Sequence, residues 1–214
     1  MEVEKFREKI KNLHESEMVS SSLEGNLENF EIKNRISRKK ILEIVLVASL
    51  TALGISVGYL FAPFPNIEFM SFIIFIAGFL YGQVVGLGVG VFVPLIYYGW
   101  NPYGPSNPPI FLTCVGCMTL IGAIGGFLKP KHPEKLTYSA WNIYKFAFIG
   151  FILTLIFDLT TNIVTGIIFY GGNVSLAILL GIPFLLIHTI SNTIIFAICL
   201  IPTNNAIINL IELA

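Results

Sequence analysis

The sequence predicts an all-α integral membrane protein with six transmembrane helices, N-in/C-in, behind a charged cytoplasmic N-terminal extension. Three observations carry this. The 214 residues are 55% hydrophobic and only 12% charged, about half the charged share of a soluble domain, and mean hydropathy is +0.78. Apolar stretches near the roughly 17–25 residues that cross a bilayer recur from Ile41 onward. Basic residues gather on one side of those stretches, as the positive-inside rule requires. The formal net charge is zero and gives no hint of an acidic or nucleic-acid partner, so none of the latter is expected.

Residues 1–40 hold nine of the thirteen Lys and Arg and eight of the thirteen acids. Within them Val3, Phe6, Ile10 and Leu13 recur at helical spacing, which predicts a solvated amphipathic helix over 2–17. The Ser-, Glu- and Asn-rich stretch 18–32 reads as a flexible tether. The apolar segment starting at Ile41 follows forty polar residues and lacks a small-residue cleavage site, so it reads as a retained helix rather than a signal peptide.

The expected spans are 41–61, 67–81, 84–99, 110–128, 144–170 and 175–201, making 41–202 one membrane domain and 203–214 a short C-terminal segment. The second and third spans come from a 32-residue run, Ile67 to Tyr98, whose only charge is Glu68. That run is long for one crossing, and Gly82-Gln83 is its polar break, so two short helices with a tight turn are expected there. Four-spaced glycines at 78, 82, 86 and 90 allow close helix approach.

Orientation follows from charge. With the N-terminus inside, the first forty residues, Lys129, Lys131, Lys135 and Lys145 all lie on the cytoplasmic side. The external connections at 62–66, 99–109 and 170–174 carry no basic residue. Fusing the second and third spans would put the lysines at 129–135 outside, so the count of six and the orientation support each other. The expected location is the plasma membrane, as a multi-pass protein.

Candidate binding residues lie toward the outer face. The connection from Tyr97 to Pro109 holds four aromatics, two asparagines and four prolines. Its prolines stiffen it, and Trp100, Asn101 and Tyr103 offer aromatic faces and amide groups to a flat polar molecule. The first external connection adds Asn66 and Glu68, the latter suited to a cationic or hydrogen-donating solute. Asp158 and Asn162 are i,i+4 on the fifth span, and His188 and Asn192 are i,i+4 on the sixth. Counting from the membrane edges sets Asn162 level with His188, and Asp158 with Asn192 about a turn deeper. An ionised group at the bilayer centre costs about 2.5–3.5 kcal/mol even on lenient scales, so Asp158 and His188 are expected to face the bundle interior.

Chemistry of other kinds is poorly represented. Cys114 and Cys117 form a CxxC in an apolar helix without a second thiol pair, so no metal site is expected. The chain has no Lys-Ser/Thr phosphate loop, no HExxH and no GxSxG. No cofactor is expected, the chain is not expected to be an enzyme, and energy for uphill transport must come from elsewhere.

In the first span Ala48, Ala52 and Ser56 make a small-residue stripe suited to helix docking. This AxxxA, six short spans, the Asn-Pro-Tyr-Gly connection at 101–104 and the His188–Asn192 pair resemble the substrate-binding S component of energy-coupling factor transporters, over roughly 41–202. The resemblance implies capture of a vitamin-like small molecule at the outer face by the later helices and external loops. It also implies a transmembrane coupling subunit, contacted by Ala48 and Ala52, and two cytoplasmic ATPase subunits as partners in the bilayer. The charged N-terminal extension is longer than that family's pattern, and the pocket residues match no one substrate class. The alternatives are a stand-alone small-solute carrier or channel, or an intramembrane enzyme using Asp158 and His188 as an acid–base pair.

Overall fold

A computed structural model describes residues 2–101, 104–132 and 134–213, with side chains from Phe30 onward except Ile211. Six helices are present among these residues: α1 Glu2–Phe61, α2 Met70–Tyr81, α3 Gln83–Gly99, α4 Pro108–Phe127, α5 Ala140–Phe169 and α6 Val174–Leu213. Four of them contain stretches long and apolar enough to cross a membrane, namely Phe30–Phe61, Pro108–Phe127, Ala140–Phe169 and Val174–Leu210. The other two are shorter: α2, with 12 residues, spans only about 18 Å at 1.5 Å per residue.

The chain divides into two compact units, Met1–Leu42 and Glu43–Ala214. In the first, backbone helix runs through 18–32, where the sequence reading expects a tether. That stretch contains no proline and one glycine, and its Ser, Glu and Asn residues lower helix propensity without breaking it. The side chains of the expected amphipathic face at 2–17 lie outside the described residues. An exposed i,i+4 pair, Arg35 and Glu31 at 3.9 Å, lies further along.

In the second unit α2 is central, with every residue from Met70 to Phe79 buried. A helix surrounded on all sides has no polar face, which is why its sequence is apolar all round. Phe72 and Phe75 meet Phe196 of α6, and Phe79 meets Phe146 of α5, with ring centroids 5.3–5.9 Å apart. Gly82, at φ 100°, makes the turn into α3, a backbone that glycine adopts without steric cost. A Cβ added to Gly78 or Gly86 would strike the carbonyl oxygen of Gly122, and one on Gly90 would meet Met118 O at 2.8 Å. Three of the four-spaced glycines thus bring α2 and α3 into backbone contact with α4.

Helix ends follow local chemistry. Ser139 caps α5 by accepting from the Asn142 amide at 3.2 Å, which starts this helix four residues before the expected 144. Asn173 accepts from the Leu176 amide at 3.0 Å at the head of α6. The largest departure is at the other end of α6, which runs through Pro202 to Leu213 instead of stopping near 201. Tertiary contacts hold it there. Asn205 accepts from the Leu136 amide at 2.7 Å and donates to the Leu136 carbonyl at 2.9 Å. Asn204 donates to the Glu134 carbonyl at 3.0 Å, and Lys135 pairs with Glu212 at 2.6 Å.

Candidate functional site

A cavity of about 590 Å³ lies within the second unit, at the end that carries the α1–α2 and α3–α4 connections. Its walls come from Asn66 and Glu68 of the first connection, Tyr97 and Tyr98 of α3, Asp158 and Asn162 of α5, and His188 of α6. The volume is that of an ordinary small-molecule site.

A hydrogen-bonded trio occupies one wall. His188 Nδ1 lies 2.8 Å from Asp158 Oδ1, and Nε2 lies 3.3 Å from Glu68 Oε1. Ser71 donates to the same Glu68 oxygen at 2.6 Å. His188 and Asp158 are buried, 5% and 9% exposed, as expected of polar groups that must avoid lipid. The ring of Phe157 meets the His188 ring edge-on at 5.8 Å and fixes its plane. Asp158 Oδ2 is buried with no hydrogen-bond partner among the described residues.

The register of the α5–α6 hairpin differs from the edge-counting expectation. Asn162 lies opposite Gly181, where an added Cβ would come within 2.5 Å of its amide oxygen. His188 pairs with Asp158, not with Asn162. The tight Tyr170–Asn173 turn, built on Gly171 and Gly172 at φ 58° and 88°, sets this register. Asn162 and Gly181 are equally far along the chain from it.

The remaining expected site residues separate clearly. Asn66, Glu68, Asn101, Asp158, Asn162 and His188 line the cavity. Asn66 has φ 59°, tolerable for asparagine, and its carbonyl accepts from Ser191 at 2.9 Å. Trp100 does not line the cavity: its side chain is 75% exposed, and its carbonyl accepts from Tyr59 at 2.8 Å. Asn192 is fully buried, also off the cavity, and neither of its amide atoms has a partner among the described residues. Tyr103 lies outside the described residues. Sequence reasoning counted Tyr98 only among the four aromatics of its connection and did not single out Ser71, Phe157 or Phe184, since an isolated aromatic or serine in an apolar helix carries no signal that could have found them.

Among the described residues no group of three or more His, Cys, Asp or Glu is arranged to hold a metal ion. Ala48, Ala52 and Ser56 are exposed on α1. The opposite face of that helix packs inward, with Gly54 against Val93 and Gly58 against Met70 and Tyr97. Compared with family models, with curated proteins and with solved structures, the chain has no match.

Proposed function

We propose that this chain is the membrane-embedded substrate-binding subunit of an energy-coupling-factor importer, a six-span plasma-membrane protein with both ends inside. It captures a small vitamin-like solute from outside and docks on a coupling subunit that carries two ATPases. The observation behind this reading is the cavity, which joins two loop regions of one end to buried polar groups of α5 and α6. The uncovered Ala48, Ala52 and Ser56 stripe supports the docking part, because it leaves a flat surface for another helix.

Native mass spectrometry of the purified full chain should reveal a co-purified small molecule, and binding should need no nucleotide. A protein that neither carries nor binds any small solute refutes this function. The double substitution Ala48→Leu/Ala52→Leu should spare binding and abolish assembly with the coupling subunit. Normal assembly and transport by that variant would disprove the docking role. Transport by this chain alone in liposomes would favour a stand-alone carrier. The trio gives an acid–base enzyme some footing, but both His188 nitrogens are already engaged; a chemically altered ligand would favour that reading.

A further inference from the structure

The proton count of the trio restricts what the cavity can hold. Both nitrogens of His188 face carboxylate oxygens, and a neutral imidazole carries a single N–H. Both contacts therefore contain a hydrogen only if the trio holds one proton more than two carboxylates and a neutral ring. Wherever that proton resides, one net negative charge is left. Among the described residues the cavity lining contains neither Lys nor Arg to balance it.

A second observation points to where the balance belongs. Asp158 is 9% exposed and lines the cavity, yet its Oδ2 accepts nothing from the described residues. A buried carboxylate oxygen without a donor is costly, and a positive centre held in the cavity beside Asp158 offsets that charge across a short distance without touching the oxygen itself. Tyr98, Phe157 and Phe184 line the same space, and aromatic faces attract cations. A transition-metal ion fits poorly. His188 has no lone pair to give it, and no metal-ligating group of three is present among the described residues.

We propose that the ligand of this cavity is a small organic cation, its positive centre set against Glu68 and Asp158 and its apolar part against Tyr98, Phe157 and Phe184. This rests on the reading of the cavity as a solute site. An anion is repelled, and a neutral solute leaves the charge unbalanced.

The test is calorimetric titration of the full chain in lipid nanodiscs with three probes of one shape: nicotinamide methylated at the ring nitrogen (a cation), nicotinamide (neutral) and nicotinate (an anion). The cation should bind at least about tenfold more tightly than nicotinamide, a preference within reach of one close charge. Nicotinate should not bind. Asp158→Asn and Glu68→Gln should each shrink the cation's advantage toward nothing; an undiminished advantage in both variants overturns the placement. The wild-type ranking decides the matter if either variant fails to fold. Equal binding of the cation and the neutral probe, or preference for the anion, overturns the proposal and leaves the solute-site reading standing. If none of the three binds, the charge of the co-purified molecule decides: a cation supports the proposal and a neutral or anionic molecule overturns it. No probe bound and no co-purified molecule overturns both readings.

Discussion

Deleting the imidazole of His188 leaves Glu68 and Asp158 without the group that links them, 3.3 and 2.8 Å away on its two sides. Removing one partner of a buried charge cluster costs about 3–5 kcal/mol. His188→Ala should therefore lose at least about 3 kcal/mol against denaturant, while a loss below about 1 kcal/mol would mean that water replaces the ring. Asn192 makes the opposite case, being fully buried with an unpartnered amide. Asn192→Leu should raise stability by about 1 kcal/mol in the same assay, since it removes unmet hydrogen-bonding groups. A drop would show that the amide has partners in the folded protein. Asp158 and His188 were legible because an acid and a histidine in apolar helices must point inward. Glu68 was legible as a loop acid suited to a cationic or hydrogen-donating solute, but not as a partner of His188. Its place as the third member, 120 residues from His188, depends on how the α1–α2 connection folds back, and no local pattern encodes that.

Helix spacing is decided by glycine, but not equally at every glycine. A Cβ on Gly122 would collide with the Gly86 carbonyl, whereas Gly116 of the same helix has nothing within 4 Å. Gly116→Ala should be neutral or stabilising by about 0.5–1 kcal/mol, the helix-propensity gain alone. Gly122→Ala should push α3 and α4 apart and lower the unfolding midpoint sharply; equal midpoints for the two variants would contradict the backbone contact. The four-residue glycine spacing announced such a contact in advance. The hairpin register was less legible, because it depends on how tightly Tyr170–Asn173 turns, and a membrane-edge count carries no information on that. The continuation of α6 past Pro202 was hidden for a related reason: it depends on Asn204 and Asn205 reaching backbone groups near residue 135.

For the molecule as a whole, charge distribution implies a direction across the bilayer that helix lengths alone leave open. In a background with the native cysteines replaced, Asn107→Cys should react with a membrane-impermeant maleimide on intact cells. Lys131→Cys should react only after permeabilisation. The reverse pattern would mean that the orientation is inverted or that the second and third spans are fused, and labelling of both from outside would mean that α4 does not cross. The all-helical class was plain from composition, since long apolar segments in lipid satisfy their backbone groups only as helices or closed barrels. A binding region toward the outer face was plain in outline, but which residues share one cavity was not, because it forms only where four separate stretches, 58–68, 97–114, 157–162 and 181–188, converge.

The trio also has a history within each molecule's synthesis. Glu68 leaves the ribosome 120 residues ahead of His188, which at typical elongation speeds is roughly 6–24 s. Through that interval its carboxylate must stay hydrated, or hold a proton, at the edge of the bilayer. The earlier helices therefore wait beside an unfinished wall, and the arrival of the last hairpin completes it.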